Sequence, residues 1–369
     1  MKKIAILTVD LKRLGGTQRV AVILANELNR YYESTLITLY GSNKIYEIDE
    51  NIKICNLNKE AIRLRYSALK NLFYLKNIIN DNEIEILIVM GRICTFIPLL
   101  LKYFCRIRII FCEHASRYEY TFFKETFKSK VIRKIFNYLV DKKADKVVFL
   151  TNREMELYKD YNKAVVIQNP IDEKLLEITQ NYNIKAQKII TVGRIEYGKG
   201  IDILVKVAKI VFQKHPEWKW DVFGSGDKIY IKKINKQIEN AGLSNNLFLR
   251  GEENDIYNIY RNYSFFVFTS RFEALPMVLL EAKANKLPII SFDINSGPSD
   301  IITNNIDGFL IKPFDYEKMA DKVCELIENP NLRIKYSQKT YSNINKFRKD
   351  IIIRKWQDLI EGLHNFDKK

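Results

Sequence analysis

The chain has no C-x-x-C pair, only 3 histidines, and no apolar run long enough to cross a bilayer. Each lack excludes something. Its 5 cysteines (Cys55, Cys94, Cys105, Cys112, Cys324) are odd in number and scattered. That argues against a disulfide framework or a structural zinc site and fits a reducing compartment. The longest uncharged apolar stretch, residues 93–101, is closed by Arg92 and Lys102. A spanning helix needs about 20 such residues. Near the start, a short apolar run over 4–9 is ended by Asp10, Lys12 and Arg13, so no secretory leader is legible. No internal repeat or low-complexity segment occurs, and repeat and disordered classes are set aside.

What is there is an ordinary globular composition, 47% hydrophobic and 28% charged over 369 residues, a length that suits about two domains. Lys+Arg number 60 against 44 Asp+Glu, a net charge of +16, so the expected partners are anionic. Short β-branched runs alternate with helix-length periodic segments, the pattern of parallel α/β layers. Strands are expected at 3–9, 34–40, 86–90, 107–112, 147–150 and 164–168, with helices at 17–30, 64–80 and around 120–140. Near Asn169-Pro170 the pattern pauses. A second series then places strands at 188–192, 218–223, 247–249, 265–268 and 287–291. The tail, 342–363, reads as an amphipathic helix with Phe347, Ile351, Ile352, Trp356 and Leu359 on its apolar face. Two Rossmann-like domains in tandem are predicted, 1–170 and 187–345, with a linker at 171–186. Residues 346–369 are expected to pack back toward the first domain.

In open parallel sheets, ligands gather at the carboxyl ends of strands, so the strand-to-helix turns carry the chemistry. Three stand out. After the first strand comes Leu14-Gly15-Gly16-Thr17-Gln18-Arg19, where paired glycines let backbone N–H groups approach an oxyanion at a helix start. A tight turn with Thr17 as helix cap is the plainer reading. Next is Gly193-Arg194-Ile195-Glu196-Tyr197-Gly198-Lys199-Gly200, in which two cations five residues apart can converge on one diphosphate, a plain basic surface turn being the other reading. It nearly spells a P-loop, but Gly200 stands where a magnesium-binding Ser or Thr belongs. Third is Ser270-Arg271-Phe272-Glu273-Ala274-Leu275-Pro276-Met277-Val278-Leu279-Leu280-Glu281-Ala282. Pro276 suits a first helical turn, and the N–H groups of Met277 and Val278 suit a second clamp on diphosphate. Glu281 suits a ribose diol, and Glu273 a sugar.

Together these segments resemble the retaining glycosyltransferases of the GT-B fold, the group 4 family with many bacterial polysaccharide enzymes. The likeness rests on G-G-T-Q-R, Q-N-P-I-D, V-G-R-I-E-Y-G-K-G, D-V-F-G-S-G-D and F-T-S-R-F-E-A-L-P-M-V-L-L-E-A, then S-G-P-S-D-I-I and D-G-F-L-I. It spans nearly the whole chain and is strongest over 188–312. It implies two Rossmann-like domains with parallel sheets and an interdomain cleft that closes over the donor. Arg194 and Lys199 match the pair that binds donor diphosphate, with Gly16 and the amides of Met277 and Val278. Glu281 matches the ribose-binding Glu, and Glu273 the catalytic Glu that meets the donor hexose beside Ala274 and Leu275. Here E-A-L-P replaces the commoner E-G-F-P. Gly15, Gly16 and Arg19 match the acceptor-side loop. His114 matches a histidine that often faces the donor sugar, as a hydrogen-bonding group or a help to leaving-group charge. His215 and His364 carry no such expectation.

No D-x-D triplet occurs, so a metal-dependent arrangement lacks its ligand pair. No cofactor or metal is expected; Arg194, Lys199 and helix dipoles serve instead. Family membership implies retention, and no nucleophilic carboxylate pair is evident, so same-face attack is expected. The resemblance points to a UDP-sugar donor carrying a hexose or N-acetylhexosamine. The acceptor would be a glycan on a polyprenyl diphosphate, as in O-antigen, capsule or exopolysaccharide synthesis. Two other classes stay open: a sugar-nucleotide epimerase on the same fold, and a nucleic-acid binder suggested by charge alone, which lacks a binding motif.

Between Lys102 and Lys146 lie 12 Lys+Arg and 5 Asp+Glu. Within that stretch Tyr120, Phe123, Phe127, Val131, Ile135 and Tyr138 recur at helical spacing, flanked by Lys124, Lys128, Arg133, Lys134, Lys142 and Lys143. Most of the stripe is expected to face the core. The basic flank suits an anionic membrane surface, so peripheral attachment to the inner face of the cytoplasmic membrane is expected, and nucleic acid is not.

Overall fold

The computed structural model describes residues 1–11, 15–41, 46–58, 64–94, 96–122, 126–158, 160–177, 182–253, 255–341 and 344–365. It divides into two compact units, Met1–Pro170 with Lys349–Lys369, and Ile171–Arg348. Segment 171–186, expected as a linker, counts within the second unit; residues 178–181 lie outside the described residues.

In the first unit a parallel sheet holds β1 (Lys3–Thr8), β2 (Glu33–Tyr40), β3 (Lys53–Asn58), β4 (Ile86–Met90), β5 (Arg108–Glu113), β6 (Lys146–Phe149) and β7 (Ala164–Val166). Their order is β3-β2-β1-β4-β5-β6-β7. The inner strand β4 is apolar throughout, as a parallel strand covered on both faces is; every residue of its I-L-I-V-M is buried. The terminal helix, Lys349–Asn365, belongs to this unit. Ile352, Trp356 and Ile360 are buried, Lys349 Nζ lies 2.8 Å from Glu27 Oε1, and the Tyr32 hydroxyl donates to Glu361 at 3.0 Å. Ile351, expected on the apolar face, is 39% exposed. Phe347 precedes the helix in a 3-10 turn, Asn345–Phe347, of the second unit.

The second unit holds β8 (Lys188–Val192), β9 (Lys219–Phe223), β10 (Leu247–Gly251), β11 (Phe265–Phe268), β12 (Ile289–Phe292) and β13 (Gly308–Ile311), in order β10-β9-β8-β11-β12-β13. Helix Ile201–Lys214 buries Leu204, Val207, Ala208 and Val211, a stripe of period near four, against the sheet core of Trp220, Phe265 and Val267. Strand order reverses between β8 and β11, which pair directly, Phe265 with Ile189 and Phe266 with Ile190. That reversal is where a doubly wound sheet opens to a ligand.

One expectation about helix 120–140 fails. Arg117–Thr121 is a 3-10 turn capped by Ser116, and the α-helix runs from Phe127 to Lys143, capped by Thr126. The side chain of Tyr120, and Phe123 and Lys124 entirely, lie outside the described residues. The stripe expected to face the core faces outward instead. Phe127 is 84% exposed, Ile135 50% and Tyr138 61%, with Val131 and Ile132 exposed as well. The core side is carried by Phe136 and Val140, on the opposite face; Phe136 packs edge-on against Phe96 at 5.3 Å and Phe111 at 5.8 Å. A helix that is apolar on two faces buries only one of them here, because the sheet occupies only one side.

Candidate active site

Because β8 and β11 are neighbours, the loops leaving their carboxyl ends meet, and they carry the residues singled out above. After β8 the chain turns through the 3-10 turn Tyr197–Lys199 and enters helix Ile201–Lys214 at Gly200, whose φ is +66°. A Cβ at Gly200 would stand 2.1 Å from the Thr269 carbonyl oxygen, so only glycine lets the two loops touch.

The contact is extensive. The Arg271 amide donates to the Gly198 carbonyl at 2.8 Å, and the Thr269 hydroxyl to the Lys199 carbonyl at 3.1 Å. Lys199 Nζ then reaches Glu273 Oε1 at 2.5 Å, and the Ser270 hydroxyl donates to the same oxygen at 2.9 Å. The Glu273 carbonyl accepts from the Ser296 hydroxyl, tying in the loop after β12. Arg194 is 72% exposed and lies 3.0 Å from Glu196, its cation facing water at the rim.

Arg271 is nearly buried. Its guanidinium forks onto Asp202 at 2.8 and 2.7 Å, donates to the Tyr197 carbonyl at 2.6 Å, and covers the Tyr197 ring at 3.8 Å. Burial pushes the Asp202 carboxyl up, but its hydrogen bonds and charge contact with Arg271 outweigh this and hold it below the usual carboxylate range.

Beyond the loop, helix Met277–Ala284 begins with Pro276 as its cap, φ −74° and ψ 108°, rather than inside the first turn as expected. Met277 and Val278 are half-buried at its start, where helix geometry leaves N–H groups without carbonyl partners inside the helix. Ala274 and Leu275 are buried side chains, so a sugar would meet backbone there. Glu281 is buried one turn in, and its carboxylate accepts from the Tyr260 hydroxyl at 2.9 Å.

In the first unit, Gly15 caps helix Gly16–Leu28 in extended conformation; the turn reading had given that place to Thr17. Leu14 lies outside the described residues. The Gly15 amide does not await an anion: it donates to the Tyr46 hydroxyl at 3.0 Å. Gly16 is exposed at the helix start, and Arg19 is half-buried, its amide donating to the Gly15 carbonyl at 3.0 Å. His114 follows β5 and is half-buried; loss of hydration takes its imidazole down to about 4, so the ring is neutral near pH 7. Before it, Glu113 is buried and held by Arg92, with contacts of 2.7–3.0 Å.

Tyr260, Asp202 and Tyr46 carried no expectation, and Arg271 was read only as part of a motif. Nothing in local spacing marks Tyr260 or Tyr46, because each meets its partner from a distant part of the chain, Tyr260 at Glu281 and Tyr46 at Gly15. Among the described residues no group of three or more His, Cys, Asp or Glu could hold a metal ion, and no helix is long and apolar enough to cross a membrane.

Two parallel doubly wound sheets, with a cation, two carboxylates and a helix start on the loops of one, define a GT-B glycosyltransferase. Residues 14–175 match Glycosyltransferase Family 4 and residues 176–343 match Glycosyl transferases group 1. The chain belongs to this family. It is 29% identical to the amylovoran biosynthesis glycosyltransferase AmsD of Erwinia amylovora, over 98% of this chain and all of that one. It is 21% identical to a Campylobacter jejuni enzyme, over 99% of this chain and all of that one. That relative is an alpha-1,4-N-acetyl-D-galactosaminyltransferase acting on a diphosphoundecaprenol-linked glycan. Among solved structures, S. aureus TarM in a complex with UDP superposes with a TM-score of 0.81 at 19% identity, covering 97% of this chain and 99% of that one.

Proposed function

We propose that this glycosyltransferase moves a hexosyl or N-acetylhexosaminyl group from a UDP-sugar to a polyprenyl-diphosphate-linked glycan in bacterial polysaccharide synthesis, with retention of configuration. The observation that carries it is the contact of Lys199 with Glu273 on the loops that leave the neighbouring strands β8 and β11, with the start of helix Met277–Ala284 and Glu281 following on the same segment. In that reading the diphosphate lies against Lys199, Arg194 and the amides of Met277 and Val278. The ribose diol donates to Glu281, and Glu273 exchanges Lys199 for the sugar hydroxyls. Gly15, Gly16 and Arg19 form the acceptor-side loop, and His114 offers a neutral hydrogen bond to the sugar.

The anomeric carbon–oxygen bond to diphosphate breaks as the bond to the acceptor hydroxyl forms on the same face. The acceptor proton passes to the departing phosphate oxygen. Lys199, Arg194 and the helix start stabilise the negative charge that develops there, so the reaction proceeds without a metal. Acceptor choice is supported by the activity of the Campylobacter relative and the donor nucleotide by the UDP held by TarM. The outward apolar and basic face of helix Phe127–Lys143 supports attachment to the inner face of the cytoplasmic membrane, where such an acceptor lies.

Incubation with a panel of UDP-sugars and lipid-diphosphate glycans tests the reading. Acceptor-dependent UDP release, undiminished by EDTA and yielding a product of unchanged anomeric configuration, is expected. Interconversion of sugar nucleotides without an acceptor would make it an epimerase, and inertness toward every donor would remove both.

A further inference from the structure

Arg271 lies on the loop that carries Glu273 and packs against the loop that carries Lys199, yet its own donors face protein. Its two terminal nitrogens fork onto Asp202 at 2.8 and 2.7 Å, one of them also meeting the Tyr197 carbonyl at 2.6 Å. The flat face of the guanidinium covers the Tyr197 ring at 3.8 Å, and the side chain of the pair is only 9% exposed on the Arg271 side. Asp202 stands in the first turn of helix Ile201–Lys214, two residues after Gly200, and takes a third hydrogen bond from the Tyr230 hydroxyl at 3.3 Å. The same loop pair is joined through backbone by the Arg271 amide and the Gly198 carbonyl, and Phe272 packs on Gly198 so closely that a Cβ there would lie 2.8 Å from the ring.

The turn that bears Lys199 is thus held on three sides: by Asp202 after it, by the Tyr197 carbonyl and ring before it, and by Gly198 within it. All three holds run to the one residue Arg271 or its neighbour. A planar fork fits this task, since lysine offers one point charge and cannot bind two oxygens in a plane while lying flat on a ring.

We propose that Arg271, seated on Asp202, is a positioning residue that fixes Lys199 for the diphosphate of the donor without touching the donor itself. This rests on the reading of the second unit as a nucleotide-sugar site. It predicts a loss confined to the diphosphate part of the ligand, because the nucleoside contacts, centred on Glu281, belong to a different helix.

Calorimetric titration with UDP and with uridine separates that role from a structural one. Arg271→Gln is expected to weaken UDP by about tenfold, the scale of a lost charge-assisted pair, while uridine binds within about twofold of wild type. Arg271→Lys should recover part of the loss. Asp202→Asn, which leaves the guanidinium in place but removes its anchor, should weaken UDP in the same direction. If Arg271 contacted phosphate directly, Asp202→Asn would instead leave UDP binding equal or stronger, and the proposal would fall. An unchanged UDP-to-uridine ratio in folded Arg271→Gln would overturn it equally. Should Arg271→Gln not fold, the Asp202→Asn ratio decides alone. A wild-type protein that shows no preference for UDP over uridine would remove the nucleotide-sugar reading instead.

Discussion

Lys199 Nζ lies 2.5 Å from Glu273 Oε1, so the cation assigned to the diphosphate and the carboxylate assigned to the sugar neutralise each other when no donor is present. The pair is part-buried, at 22% and 13% exposure, so the cost of drying both charges offsets much of their attraction. Its value is readiness. On the proposed function, a negative donor would draw Lys199 away and leave Glu273 beside Ser270, able to accept from sugar hydroxyls. Lys199→Ala and Glu273→Ala should therefore each lower turnover by about a hundredfold or more while the thermal midpoint moves little. UDP-release assays on both variants check this. Near wild-type rates in either would move the site elsewhere.

Glu281 and Tyr260 make a second pair, with the hydroxyl donating to the carboxylate at 2.9 Å. Tyr260 is wholly buried, so Tyr260→Phe removes one oxygen without opening a cavity. The carboxylate then loses a hydrogen bond that orients it. Wild type should prefer UDP to its 2′,3′-dideoxy analogue, and Tyr260→Phe should shrink that preference by about tenfold or more, the worth of one hydrogen bond to a charged group. A preference equal to wild type would assign Tyr260 to packing alone.

How much of this was legible beforehand follows physical lines. Strands such as β4 and β11 announce themselves because a buried parallel strand can be apolar at every position. The edge strand β3 and the four-residue β13 carry too short or too mixed a pattern, and helix Phe96–Leu101 is apolar all round and so has no period to read. Lys199, Glu273 and Glu281 are legible because their spacing along loops and one helix brings them to one edge. Tyr260 and Asp202 are not, since Tyr260 lies 21 residues before Glu281 and Asp202 lies 69 before Arg271. The outward face of helix Phe127–Lys143 was misjudged for a different reason. Periodicity reveals that a helix has an apolar face; with apolar residues on both sides, only the position of the sheet decides which is covered.

His114 gives a pH signature. Burial lowers its folded pKa to about 4 from 6.5. Below pH 6.5 the unfolded chain takes up a proton that the folded chain refuses, so stability present above that pH is lost as pH falls toward 4. The loss reaches about 2 kcal/mol at pH 5, or some 4–8 °C in thermal midpoint. His114→Gln removes the titrating group, and its midpoint should fall less than that of wild type between pH 7.5 and pH 5. Parallel profiles for the two proteins would mean that the ring is hydrated and charges normally. Transfer rates between pH 6 and pH 8 should show no titration from this residue, since it is neutral throughout.

The exposed face of helix Phe127–Lys143 makes the most direct claim on location. Phe127, Val131, Ile135 and Tyr138 fall along one side, and Lys128, Lys134 and Lys142 lie along or beside it. Leu100, Tyr103 and Phe104 are exposed in the neighbouring segment, and Lys143 Nζ sits 3.8 Å over the Tyr103 ring, which joins the two. Water tolerates these side chains at a cost, whereas the boundary of a bilayer accepts the rings and each lysine gains about 1 kcal/mol from an anionic surface. The wild-type protein should sediment with vesicles of phosphatidylglycerol and phosphatidylcholine at low salt and much less with phosphatidylcholine alone. Changing Phe127, Ile135 and Tyr138 together to serine should lower that partition by about a thousandfold or more, since three large apolar side chains at roughly 1.5 kcal/mol each give more than about 4 kcal/mol. Because all three are exposed, the thermal midpoint should stay within about a degree or two, as surface changes do. Equal sedimentation of the variant would clear this face of any membrane role. A dimer seen by analytical ultracentrifugation in wild type and abolished in the variant would make it a subunit interface instead.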